Sequence, residues 1–248
     1  MKYGENVDLR GGGHFSGRLT APLCIAGGIC LQILKEKNIH IGAQLYSVGK
    51  ALGVPFDPVN VNSSDFEKIL NSDFPTLSDE GAERMKEEII SAKTDGDSVG
   101  ATIECAAIGL PIGLGEHMFF GVENRISSIV FGIPAVKGIE FGNGFDCSTL
   151  RGSVNNDAFY TDGNTVYTKT NNSGGIQGGM SNGMPLIFRA AMKPTPSIYM
   201  EQDSVDLNAM SNVKLKINGR HDPCVAVRAV PVFEAATAIA ILDMMYDK

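Results

Sequence analysis

Apolar and small side chains run almost unbroken from residue 18 to residue 34 and stop at Lys35-Glu36-Lys37. A cationic last turn suits the negative end of a helix dipole, so residues 18–37, opening with Arg18 and Thr20, predict a mostly buried helix. Residues 39–49 then alternate and are rich in β-branched or aromatic side chains, the pattern of a strand. From 50 to 77 the pattern breaks on Pro55, Pro58 and Pro75 among many Asn, Asp and Ser, which predicts a loop with a short helix near Phe66 to Leu70. Residues 77–93 predict a helix capped by Ser78, with Asp79 and Glu80 in its first turn and Glu80/Arg84 and Arg84/Glu88 at i,i+4 spacing. A strand follows at 98–110, stopped by Pro111, then a helix at 122–131 and a strand at 135–145. Beyond a stretch of Gly- and Asn-rich loops come strands at 184–192, 197–201 and 212–217. A last helix runs from Val232 to about Tyr246, after Pro231. Strands and helices come in blocks without strict βα alternation, which predicts an α+β fold. There is no tandem repeat and no linker that would divide the chain, so residues 1–248 are expected to form one domain.

Composition narrows the function classes. The chain is 43% apolar and 20% charged, ordinary for a soluble globular protein. Its net charge of −7, with 21 Lys and Arg in no run, argues against nucleic-acid binding. Cys24, Cys30, Cys105, Cys147 and Cys224 are odd in number and form no Cys-x-x-Cys pair, as expected of thiols in a reducing cytoplasm. The N-terminus lacks an apolar signal region. The longest apolar stretch, Leu19 to Leu34, is broken by Pro22 and Gln32 and too short for a membrane span. The reading is a soluble intracellular protein.

Three stretches could carry chemistry: "RGGGHFSGR" (10–18), "NNSGGIQGGMSNG" (171–183) with "KPTPS" (193–197), and "GRHDPC" (219–224). None is a P-loop, because no Lys-Ser/Thr follows a glycine cluster, and the glycines at 11 and 13 lack the third that a Rossmann fingerprint needs. The first stretch is either a turn with a helix cap or an anion site of bare N–H groups at a helix N-terminus. Residues 174–183 read as a glycine-rich hairpin end or as backbone bared for a flat ligand. In "GRHDPC", Arg220 and Asp222 form either an ion pair or an anion-binding Arg beside a carboxylate general base. The four histidines, His14, His40, His117 and His221, are scattered, so no metal site is expected.

Taken together, the chain resembles chorismate synthase. The resemblance lies in "KYGENVDLRGGGHFSGRLTA", "DSVGATIE" (97–104), "GLPIGLGE" (109–116), "IPAVKGIEFGNGF" (133–145), "NNSGGIQGGMSNGMPLIFRAAMKPTPSI" (171–198) and "RHDPCVAVRAVPVFEA" (220–235), which stand in the family's order. It implies a carbon–oxygen lyase that converts 5-enolpyruvylshikimate 3-phosphate to chorismate by anti-1,4-elimination, with reduced FMN and no net redox change. It also implies a cytoplasmic homotetramer whose subunit is a β-α-β sandwich, with helices between antiparallel sheets. NADPH or an external reductase would reduce the flavin. Position by position, FMN contacts fall on His14, Phe15 and Ser16, on Pro134 and Ala135, on Gly178, on Lys193, Pro194, Thr195, Pro196 and Ser197, and on Arg220. Asp222 falls on the residue that takes a proton from the flavin N5 region.

The sequence departs from the family in two places. "GGHFSGR" stands where many members read Gly-Gly-Arg-Ser-Ser-Ala-Arg, so any contact made by the usual Arg is lost at His14. The family's Gly-Glu-Ser-His-Gly motif and its Arg-Pro-x-His-Ala-Asp segment have no counterpart here, nor have the two histidines they carry. The resemblance thus implies a chain incomplete at its N-terminus. It is either a portion of the enzyme or a paralogue that binds flavin or joins full-length subunits without catalysing.

Overall fold

The computed structural model describes residues 2–8 and 10–246. Helix α1 (Ala21–Glu36) follows a tight turn at Gly17–Thr20 and leads into β1 (His40–Val48), β2 (Ala51–Leu52), α2 (Ser63–Leu70) and α3 (Asp79–Thr94). Next come β3 (Ala101–Ile108), α4 (Val122–Val130), β4 (Val136–Phe141) and the single turn α5 (Gly152–Asn155). The short ribbons β5 (Phe159–Thr161) with β6 (Val166–Thr168) and β7 (Ile176–Gln177) with β8 (Met180–Ser181) precede β9 (Leu186–Met192). A hairpin of β10 (Gln202–Asp206) and β11 (Ser211–Leu215) and the long helix α6 (Ala226–Tyr246) complete the chain.

Five strands form the main sheet in the order β2-β1-β3-β9-β4, and every pairing is antiparallel. This is the expected α+β fold. On one face, Leu45, Ile103, Cys105, Phe188 and Ala190 pack with Phe233, Ala236 and Ile241 of α6. On the other, Ala106 and Ile187 pack with Phe56, Val61, Phe66 and Ile69 from α2 and the loop before it. A Cβ at Gly42 would stand 2.3 Å from the Phe66 ring, so that glycine lets α2 lie directly on β1.

A polar row crosses the second face. Gln44, Glu104, Arg189 and Glu140 are in register across β1, β3, β9 and β4. The fully buried Glu104 carboxylate accepts from Gln44 Nε2 at 2.9 Å, Phe56 N at 2.7 Å and Arg189 Nε at 3.0 Å. Gln44 also donates to Val54 O and accepts from Leu77 N, so the row ties down both loops that flank α2. Register shifts between Leu45 and Ser47, and the Arg189 guanidinium sits 4.2 Å from the centre of the Tyr46 ring.

Four expectations change. Helix α1 forms, but only Gly27 and Leu34 of it are buried, and Ile25 and Ile29 are 70% and 56% exposed. It is a third layer that touches α6 and not the sheet centre, and no second sheet covers its outer side among the described residues. Its contact with α6 is close because a Cβ at Gly27 would lie 2.4 Å from Ala235 Cα. By length and composition alone, residues 17–36 and 226–246 could each cross a membrane, against the expectation for 19–34, but α6 is mostly buried within the protein. No strand forms at 197–201, where Pro194 and Pro196 have removed N–H donors just upstream, and pairing resumes at Gln202. Helix α6 begins at Ala226, so Pro231 lies inside it. As the sixth helical residue it lies beyond the first turn, so the i→i−4 bond to Val227 O is missing and the helix carries that local cost.

Glu234 of α6 is half-buried and accepts from Ala43 N of β1 at 3.0 Å. Burial pushes its carboxyl up from 4.5 to about 7, against the pull of that N–H. Cys24 of α1 and Cys105 of β3 face the same charge, and both thiols are raised chiefly by burial. A raised folded-state pKa contributes stability that is fully present below pH 4.5 and lost as pH rises through about 7. The melting temperature of the wild type is expected to decline across that window, while Glu234→Gln stays flatter and exceeds the wild type at pH 8. Superimposable melting profiles of the two proteins would refute this.

Candidate active site

The glycine-rich segment is built as a hairpin. Gly178 and Gly179, at φ +61° and +87°, make the two-residue turn between β7 and β8, a backbone that favours residues without a Cβ. Gly179 lies close to Gly121 and Glu116, and its carbonyl accepts from Val122 N at the start of α4. The preceding Asn-Asn-Ser turn is held by two side chains. Asn171 donates to Pro58 O and Pro185 O and accepts from Gly175 N at 2.7 Å. The buried Asp157 carboxylate accepts from Thr170 Oγ1 (2.7 Å), Asn172 N (2.7 Å) and Ser173 N (3.0 Å). Burial alone would raise the Asp157 carboxyl, but these donors outweigh it and hold it below its ordinary value.

Near the start of the chain, Gly13 adopts φ +50°, and a Cβ there would collide with Asp8 O. Ser16 then caps the turn at Gly17–Thr20, its hydroxyl accepting from Arg18 N at 3.3 Å. The turn with a cap is therefore formed here. His14 and Phe15 turn away into an exposed aromatic cluster with Tyr3, at centroid distances of 5.3 and 5.9 Å.

A cavity of ≈ 330 Å³ opens beside this cap. Its apolar wall comes from Ile133, Pro134, Met192, Val225, Ala229 and Val232, and its polar groups from Ser16, Arg18, Thr20, Asp222 and Arg228. Three segments converge because the sheet places their ends together. Lys193 N donates to Ala135 O at 2.9 Å, joining the end of β9 to the start of β4. Ser98 Oγ donates to Thr195 O at 2.7 Å, and Val99 N to Pro223 O at 2.8 Å, fastening both segments to the approach to β3. Ala135 holds φ +76°, a left-handed conformation costly for a residue with a Cβ and found where a site over-determines the backbone.

Asp222 is the carboxylate of this cavity. Its Oδ1 accepts from Cys224 N at 3.2 Å, and its Oδ2 lies 3.3 Å from Arg228 Nε. The ion-pair partner is therefore Arg228 and not Arg220. The chain turns between Asp222 and Ala226 and brings Arg228, in the first turn of α6, back to the carboxylate, while Arg220 is exposed. His221 bonds to Ile217 O and packs edge-on against Tyr199, so it too faces away.

Of the residues carried over from the family pattern, Ser16, Pro134 and Asp222 line the cavity directly. Ala135 and Lys193 adjoin it through their mutual hydrogen bond. Pro194, Thr195, Pro196 and Ser197 do not line it, and the buried Thr195 hydroxyl has no hydrogen-bond partner among the described residues. Gly178, His14, Phe15 and the exposed Arg220 do not line it. Arg18 and Arg228 line it although the motif reading had not assigned them to the site. Both stand within the quoted family blocks, but only the turn before α6 brings Arg228 to Asp222.

A family model described as chorismate synthase matches residues 1–246. The chain belongs to the chorismate synthase family. A chorismate synthase of Lancefieldella parvula is 43% identical over 257 aligned positions, covering 99% of this chain and 67% of the relative. One from Thermococcus kodakarensis is 46% identical over 244 positions, covering 98% and 66%. A solved structure titled "Crystal Structure of Chorismate Synthase" superposes with a TM-score of 0.77 at 29% identity, over 93% of this chain and 63% of the other. The chain thus spans about two thirds of the length of these chorismate synthases.

The Asp157 turn gives a direct check on how this family's glycine-rich segment is held. A depressed folded-state pKa contributes stability that is present above 3.8 and lost as pH falls through the folded value. Asp157→Ala should cost about 1–3 kcal/mol at pH 7, for buried donors left unpaired, and the deficit should shrink below about pH 4. Equal deficits at pH 3 and pH 7 would contradict this role.

Proposed function

We propose that the protein catalyses the anti-1,4-elimination of phosphate from 5-enolpyruvylshikimate 3-phosphate to give chorismate, with reduced FMN as cofactor. The observation that carries the reading is the cavity in which Asp222 meets Ser16, Pro134 and two arginines. Its size suits a small ligand or a flat ring, and its mix of apolar wall and few polar groups is that of a binding site. Reduced flavin, when bound, supplies the electron-rich ring that the reaction requires. Ser16 and Pro134, which line the cavity, would hold it, with Ala135 and the Lys193–Ser197 segment beside them.

The chain's own groups have separable tasks. Arg18 places positive charge in the cavity where an anionic substrate enters, stabilising the phosphate as it leaves. Ile133, Met192, Val225 and Val232 exclude water and so strengthen those interactions. Asp222, its Oδ1 held by the Cys224 N–H, presents a carboxylate to accept the proton that the elimination releases. Assembly as a homotetramer and a cytoplasmic location belong to the same reading.

The test is an anaerobic assay with pre-reduced FMN and the phosphorylated substrate, on the polypeptide expressed from its full open reading frame. Asp222→Asn is expected to bind FMN within a few-fold of the wild type and to turn over roughly a hundred-fold more slowly. Unchanged turnover per folded enzyme would remove Asp222 from the chemistry. A wild type that binds neither FMN nor substrate would overturn the reading itself.

A further inference from the structure

We infer that Arg228 is a positioning residue for Asp222, fixing the carboxylate so that it addresses the cavity in one orientation. The inference rests on the reading of this cavity as the elimination site. It starts from how few contacts hold Asp222: the Cys224 N–H takes Oδ1 at 3.2 Å, and Arg228 Nε faces Oδ2 at 3.3 Å. With one oxygen held by backbone and the other by a cation, rotation about the side chain is stopped from both sides. Without the cation, Oδ2 is free to swing away from the ligand.

The scaffold under the pair is rigid. Pro223 O is bonded to Val99 N ahead of β3, and Arg228 N is bonded to Val225 O, so carboxylate and guanidinium are anchored to one backbone unit. Cys224 between them is buried. Arg228 keeps 78% of its side chain exposed against 27% for Asp222, so the pair stands at the mouth of the cavity. A pair this exposed adds little to stability, so its cost in side-chain ordering is better explained by orientation.

The test uses Arg228→Gln, Arg228→Met and Arg228→Lys beside Asp222→Asn. The first two are expected to lower kcat roughly a hundred-fold with KM changed by less than about five-fold, because the loss is one of orientation and not of uniform binding. Lysine should recover at least ten-fold of that loss, and the Asp222→Asn/Arg228→Gln double variant should be no slower than Asp222→Asn alone. Melting temperatures should stay within a few degrees, so that folding does not account for the losses.

The 13C carboxyl resonance of Asp222, assigned by its absence in Asp222→Asn, reports the tether independently of turnover. It should move and broaden in Arg228→Gln and return towards the wild-type position in Arg228→Lys. A resonance unmoved in Arg228→Gln overturns the proposal, as does a rise in KM with kcat unchanged. A resonance that responds in a protein that makes no chorismate upholds the tether and overturns the catalytic reading.

Discussion

The buried carboxylate of Glu104 is the constraint on which the arrangement of this protein turns. A fully buried charge is tolerated only when its lone pairs are filled, and here Gln44, Phe56 N and Arg189 fill them from three directions. Because side chains alternate along a strand, slipping β9 by one residue would carry Arg189 to the α6 face and leave Glu104 unpaired. The row therefore fixes one register between β3 and β9, and the β4 pairing follows from it. That register sets which residue of the β9 exit stands beside the start of β4.

The cavity inherits its shape from this choice. Lys193 reaches Ala135 only because Met192 is opposite both Ala101 and Val136. The segments carrying Thr195 and Pro223 are then pinned to the chain just ahead of β3, which delivers Asp222 to the same place. Sheet register, and not the glycine-rich hairpin, is what brings the end of β9, the start of β4 and the segment carrying Asp222 together. The Gly178–Gly179 turn instead packs against the start of α4.

Much of the fold was legible in the sequence because its signals are local. Alternation gave β1 and β3, and Ser78 with its acidic first turn gave α3. What was not legible depends on partners. The apolar composition of α1 reads as core, yet composition does not say that mainly α6 lies against it. Pro231 looked like a helix boundary because its cost is local, while the packing of Ala229 and Val230 with the core repays it. Within the site, Ser16, Pro134 and Asp222 were found by motif. Arg228 was not, because the neighbour in sequence, Arg220, is carried off by a turn that spacing alone does not show.

The most direct test is amide hydrogen exchange at Lys193 in Glu104→Gln, a change that removes the buried charge while keeping its shape. If the row sets the register that builds the site, the Lys193 amide should lose at least about ten-fold protection while amides in the middle of α6 hold theirs. Protection at Lys193 equal to the wild type, or a loss shared evenly with α6, would contradict the account.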